Sequence, residues 1–333
     1  MHFEPGDLVH DGFVHFGFHD RAGRQYAVEH QRHFVGLVGG GDRLEWTVAS
    51  RDVFPEVPNI AADLEFPMYV DSLPDGTLVV SNLGNARLYR IDTRRMAADL
   101  LVDGRALGMV DMGNCVVDDD GFVWVNEVTG CRIWRFDPAG RPVETLGGGA
   151  RAFEPGVASF EDVVFGWVYD IRRGPSREVY VLDSTNFAVR VVDIDTRSVT
   201  TIAGGRGSGY GGDGGDARAA TFGSDPSETY DGPISLSVDE AGNVYVGDRL
   251  NHAVRMVDRA SGVIDTIAGR PDVMPDEANE PDERDPMRSN LPQISSMDYD
   301  RGRLFVPTDL ARGAGDLLVL RSSQDPPEGS AKG

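Results

Sequence analysis

The 333-residue chain has two cysteines, Cys115 and Cys131. That is too few for a disulfide framework or a structural zinc site. One bridge is conceivable, but a cytoplasmic chain favours two plain thiols. Lysine is almost absent: Lys332 stands alone, and the other 31 of the 32 basic residues are arginines. No basic run marks a nucleic-acid footprint. The 54 acidic residues outweigh the bases to a net charge of −22, a field that repels a phosphate backbone. No apolar run of about 18 residues is present, so no membrane-spanning helix is expected. The opening Met1–Asp7 has neither the basic nor the apolar region of a secretory leader, and a cytoplasmic location is expected. No window combines helical periodicity with caps. The chain also lacks a phosphate-binding Gly-x-x-x-x-Gly-Lys-[Ser/Thr] loop and a Gly-x-Ser-x-Gly nucleophile elbow. Gly207, Gly209 and Gly212 match the dinucleotide fingerprint in letters only, because no helix follows them.

What the chain does have is 41 glycines and an internal repeat. Val244–Asp248 is followed by Ala253–Asp258. Sixty-five residues earlier, Val179–Asp183 is followed by Ala188–Asp193. Each copy ends in Thr-Ile-Ala-Gly, at 201–204 and 266–269. Weaker copies run through Leu78–Asp92 and Val123–Asp137, with further ones near Gln25–Val35 and Leu304–Leu320. Six units of about 55 residues fall in the range of propeller blades. Each reads as four short strands, rich in β-branched and aromatic residues and bounded by Gly, Asn and Asp turns. The many tight turns account for the glycine.

These repeats resemble the NHL-repeat family of six-bladed β-propellers, most closely over residues 167–269 and again over 66–147. The resemblance implies an all-β fold, a six-bladed propeller of four-stranded antiparallel blades. The domain is expected over residues 1–323, with 324–333 a disordered tail. The last unit offers only three strands, so residues before Asp11 are expected to supply the missing outer strand and close the ring.

Candidate chemistry gathers at the ends of the strands. The last residues of the second strands align as Glu29, Asn82, Glu127, Asp183, Asp248 and Thr308, oxygen donors suited to a hard cation such as calcium. For Asp183 and Asp248, in an Asp-x-x-Asn pattern, local turn bonding is the competing reading. On the inner strands, Phe16, Tyr69, Asn114, Asp170, Ser235 and Ser295 align, and Asp71 and Arg172 add charge two residues on. Asp170 with Arg172 is the preferred functional pair, against a plain buried ion pair between blades. Glu127 joins them as a candidate catalytic residue. Glu29, His30, Asn114, Asp183 and Asp248 are candidate binding residues. Some relatives, the peptide-amidating lyases, hold zinc with propeller histidines and move protons with tyrosine and arginine. By that resemblance His15, His33 and His252 form a candidate metal set, with Tyr69 and Arg172 as candidate catalytic residues for proton transfer, although zinc requires three convergent ligands. Asp213 and Asp216 offer a partial calcium loop. Two long linkers, 204–233 and 270–292, are candidate lids. Within the second, 272–286 is strongly acidic and reads as a solvated spacer, a flap or a site for a cationic partner.

The expected function is a small-molecule enzyme, a lyase, hydrolase or isomerase. Its site is expected at the channel end formed by the links between blades and between second and third strands. Calcium or zinc is a candidate cofactor. The alternative is a non-catalytic interaction or ligand-binding scaffold. A small-molecule substrate is favoured over a protein partner, and neither nucleic acid nor membrane is expected.

Overall fold

The computed structural model describes the backbone of residues 14–20, 22–30, 32–39, 44–51, 54–148, 153, 155–223, 232–271, 285–289, 291, 294, 296–307 and 317–321. Its strands form six sheets. Among the described residues, five are blades of four or five strands, and the sixth has three. The innermost strands are Val14–His19, Pro67–Ser72, Cys115–Val117, Val168–Arg173, Ser235–Val238 and Asp298–Asp300. Each touches the next, and the last returns to the first. The chain is an all-β propeller. The strand expected from residues before Asp11, the 324–333 tail and most of the acidic 272–286 stretch lie outside the described residues.

The second strand of each blade is the hydrophobic axis. Leu78–Asn82, Val123–Glu127 and Glu178–Asp183 are buried on both faces over nearly their whole length. That explains why they read as unbroken β-branched and aromatic runs rather than alternating ones. Polar anchors hold both ends of this strand. At the turn before it, an aspartate accepts two backbone N–H groups and the polar tip of an aromatic ring six residues on. Asp118 takes Asp120 N, Phe122 N and Trp124 Nε1 at 3.0, 2.9 and 2.9 Å. Asp20 with Tyr26 and Asp239 with Tyr245 repeat the device at 3.0 and 3.1 Å. A buried ring therefore keeps its hydrogen bond while contributing its apolar area.

The Thr-Ile-Ala-Gly repeat has a steric cause. Gly204 and Gly269 end the fourth strands at φ +69° and +97°. A Cβ there would stand 2.0 Å from Phe187 O and 2.1 Å from His252 O. Only glycine fits.

Linkers close the blade edges. Val157–Ser159 pairs with Ser198–Gly204, and Gly215–Asp216 pairs with Val263–Gly269, so two linkers run along the outside of the blade they precede. The described part of the 204–233 linker is thus packed on the fifth blade rather than poised as a lid. Asp213 is taken by Arg255 at 2.6 Å, and Asp216 by Arg218 at 2.9 Å. Both carboxylates of the expected partial calcium loop are thereby spent on arginine.

Candidate functional site

The six inner strands point alternate side chains into the central channel. Strand register places Tyr69, Asn114, Asp170, Ser235 and Ser296 in one layer. Ser296 takes the place expected for Ser295, which lies outside the described residues. The next layer holds Phe18, Asp71, Val116, Arg172, Ser237 and Asp298. The register shifts just before Tyr69 and just before Asp170, and such bulges re-aim side chains. Every residue of the second layer is buried, and four of the six are polar.

Arg172 is the hub. It pairs with Asp170 and donates to Ile171 O and Met297 O at 3.1 and 3.4 Å. Its guanidinium lies over the rings of Tyr69 and Phe18, 4.6 and 5.4 Å from their centroids. Asp170 also accepts from Asn114 Nδ2 at 2.5 Å and from Leu236 N at 2.9 Å, joining the third, fourth and fifth blades. Burial pushes Asp170 up to about 6, against the pull of Arg172 and these donors. Burial likewise holds the Tyr69 hydroxyl above the ordinary tyrosine range, so it stays a phenol and a donor.

Across the channel, His19 Nδ1 meets Asp298 Oδ2 at 2.6 Å, and the His19 backbone N–H reaches the same oxygen at 3.0 Å. Burial pulls the His19 pKa down, but the hydrogen bond and charge of Asp298 outweigh it, and the net shift is upward. With Nδ1 engaged, Nε2 is the nitrogen left for a ligand.

A cavity of about 450 Å³ opens here, lined by His19, Tyr69, Asp71, Arg172, Ser237 and Asp298, with Asp239, Glu240, Asp300 and Arg301 at its rim. Its size suits a metabolite-sized molecule. It opens among the turns between first and second strands. The site was expected at the opposite end of the channel, where the second-strand ends are used otherwise.

At that opposite end the aligned carboxylates are spent on the protein itself. Asp183 accepts from Gly166 N at 2.8 Å and Asn186 Nδ2 at 3.0 Å, and stands 3.5 Å from Arg190. Asp248 repeats the pattern with Gly223 N at 2.8 Å, Asn251 Nδ2 at 2.9 Å and Arg255 at 3.7 Å. Glu127 accepts from Val110 N at 2.7 Å and Trp134 Nε1 at 2.8 Å. Glu29 accepts from Arg32 N at 2.7 Å. All four are buried. They tie inter-blade links and turns to the second strands, and Glu127 stands apart from the Tyr69–Arg172 cavity. Thr308 lies outside the described residues.

The histidines do not converge among the described residues. His33 and His252 occupy one repeat position on different blades, entering the third strand at φ 57° and 52°. Ala86, Cys131 and Phe187 hold the same positive-φ position, so a backbone requirement places these residues, and histidine tolerates it well. His33 Nδ1 accepts from Phe66 N at 2.8 Å, and His252 Nδ1 lies 3.3 Å from Leu291 O. His30 is buried against the Phe66 ring at 4.5 Å. The His15 side chain lies outside the described residues. Among the described residues no three of His, Cys, Asp and Glu are arranged to hold a metal ion. The described members of the expected zinc set and calcium ring are thus not brought together. Both cysteines are free, Cys115 buried and Cys131 half-buried, and burial pushes the Cys115 thiol up to about 12.

Of the residues singled out from sequence, Tyr69, Asp71 and Arg172 line the cavity, while Asp170 and Asn114 stand behind Arg172. His19 and Asp298 were missed, being 279 residues apart in the chain. Asp298 occupies the repeat position of Arg172, and that alignment was the available signal.

No family model matches the chain. In sequence it is similar to human (Homo sapiens) NHL repeat-containing protein 2, 31% identical over 90 residues. That stretch is 27% of this chain but spans only 11% of the relative. The resemblance to NHL-repeat proteins is thus found in a curated relative as well as in the repeats. In fold, the chain is similar to a virginiamycin B lyase from Staphylococcus aureus solved with quinupristin (TM-score 0.57, 8% identity, 96% of this chain and 83% of that one). It is also similar to a luciferin-regenerating enzyme (0.59, 12%, 96% and 94%). A third match is an auxiliary nutrient binding protein from Bacteroides thetaiotaomicron (0.62, 14%, 93% and 69%). At these identities the likeness is one of fold.

Proposed function

We propose that the chain is a small-molecule enzyme, a lyase, hydrolase or isomerase working by general acid–base catalysis in the Tyr69–Arg172–His19 cavity. The observation that carries this is the contrast in hydrogen bonding around the channel. Asp71, Asp170 and Asp298 each accept at least two protein hydrogen bonds. The Tyr69 hydroxyl and His19 Nε2, on the same cavity, have no partner among the described residues. Both face open cavity space, where water or a ligand can supply the missing hydrogen bond.

In this reading Asp298 holds the imidazole so that Nε2 faces the substrate. The neutral ring removes a proton at Nε2 and the imidazolium returns it to a leaving group or a neighbouring carbon. Tyr69 remains a phenol and donates to the substrate oxygen on which charge develops. Arg172, fixed by Asp170 and stacked on the Tyr69 ring, adds a positive field. A sixth blade completed by the chain's N-terminal strand is part of the same proposal.

The discriminating experiment incubates the purified protein with a cellular metabolite extract and follows the mixture by mass spectrometry. Catalysis predicts time-dependent loss of one compound and growth of another, abolished by Tyr69→Phe or His19→Gln. A second reading, a ligand-binding propeller without turnover, is favoured by the nutrient-binding match, which has the highest TM-score of the three. It predicts stoichiometric co-purification of one compound and no change with time.

A further inference from the structure

We infer that the group taken at the floor of this cavity is a neutral carbonyl, as in an amide, ester or lactone, rather than a carboxylate or an ammonium. The inference rests on the cavity being a ligand site, as proposed above, but not on turnover.

Two independent observations meet here. The first is the character of the open polar groups. Tyr69 O–H, Ser237 O–H and His19 Nε2 line the cavity without partners among the described residues. Deeper in the channel, Ser235 Oγ and Ser296 Oγ are buried with none. Each hydroxyl can donate. The channel carboxylates, which an ammonium would seek, already hold two or more protein hydrogen bonds each. A ligand therefore gains most by presenting an acceptor.

The second observation is the charge around those donors. Asp71, Asp170 and Asp298 are buried, against one guanidinium, Arg172, and the His19 imidazole. Arg172 is committed to Asp170. The rim adds Asp20, Asp239, Glu240 and Asp300 against Arg173 and Arg301. A carboxylate entering this field would lose its water and meet an excess of like charge, a strong penalty away from bulk solvent. A carbonyl oxygen accepts the same hydrogen bonds without bringing a charge. It also matches a site that stabilises negative charge only as it develops.

The test uses three probes of one shape, benzamide, benzoate and benzylammonium, titrated into the full chain and followed by saturation-transfer NMR. Benzamide is expected to bind at least about tenfold more tightly than either charged probe, a margin typical of one well-placed polar group. Tyr69→Phe and, independently, Ser237→Ala are expected to weaken benzamide, with near-UV circular dichroism confirming that each variant is folded. Benzoate or benzylammonium binding as tightly as benzamide would overturn the inference, as would benzamide binding that both variants leave unchanged. Benzamide selectivity without turnover on any extract component sinks the enzyme reading alone. Turnover of a compound with no carbonyl sinks this inference and leaves catalysis standing.

Discussion

His19 and Asp298, 279 residues apart, share a 2.6 Å hydrogen bond between Nδ1 and Oδ2 at the seam where the sixth sheet meets the first. The contact joins the two ends of the ring and fixes the imidazole in the channel, so one pair serves both closure and site geometry. Asp298→Asn keeps the shape but removes the charge that raises His19. It is expected to cost about 1–3 kcal/mol in urea denaturation, as for other buried charged hydrogen bonds. Any turnover should fall roughly 10²-fold, the usual worth of a positioned acid–base group. A variant of unchanged stability and rate would show the pair to be incidental.

Arg172 and Asp170 are expected to behave as a unit. Arg172→Met leaves Asp170 buried without its countercharge and should cost about 3–5 kcal/mol. Pairing it with Asp170→Asn should recover much of that loss, because a neutral pair avoids stranding a charge in the interior. A double-mutant cycle by denaturant unfolding measures the coupling. Additive losses would mean that the two side chains act separately.

The second-strand carboxylates are expected to be structural. Asp248→Ala removes the acceptor for Gly223 N and Asn251 Nδ2, while Arg255 keeps its pairing with Asp213. A loss of about 1–3 kcal/mol follows from the stranded donors, whereas Asp248→Asn, which keeps one acceptor, should lose less. Millimolar calcium is expected to shift the melting temperature equally in the wild type and in Asp248→Asn. A calcium stabilisation that this substitution abolishes would restore the cation reading of these residues.

Stability should rise as pH falls from neutrality toward about 5. Burial raises Asp170, Asp183 and Asp248 from 3.8 to about 6 in the folded chain. A group with a raised folded pKa favours folding fully below its unfolded value and loses that contribution as pH climbs through the folded one. The window here is about 4 to 6. His19, also raised, acts in the same direction from 6.5 upward. Below about 4 the sign reverses, because Asp193, Asp213 and Asp258 are held below the usual carboxylate value by hydrogen bonds, with Arg255 also acting on Asp213. A melting curve measured from pH 3 to 8 should therefore peak near 4 to 5. A maximum at pH 7 or above would contradict it.

The repeats made the blades legible because each unit solves the same local problems. Val-Tyr-Val runs are buried on both faces. The glycine of Thr-Ile-Ala-Gly sits where a Cβ would strike a carbonyl. The turn aspartates cap both the backbone and an aromatic ring. Such rules act within one blade, between residues close in sequence, and a single chain displays them several times over. Asp170 and Arg172 were legible for the related reason that they break the apolar pattern of their strand, and Tyr69 through the lyase resemblance.

What a residue does in the channel follows another logic. The inner strands share a repeat position but not a composition, because six different side chains must fill one axis together. Asp298 answers to His19 across the closing seam, and Asp170 answers to Asn114 and Leu236 on the neighbouring blades. The carboxylates that recur in register looked like a ligand ring from sequence, yet each faces inward to its own link. The sequence by itself determined the blade, its turns and its repetition, since those depend on local sterics and burial. Only the tertiary structure decided which end of the channel holds the cavity and which polar groups remain open in it. Those depend on partners that the closed ring alone brings together.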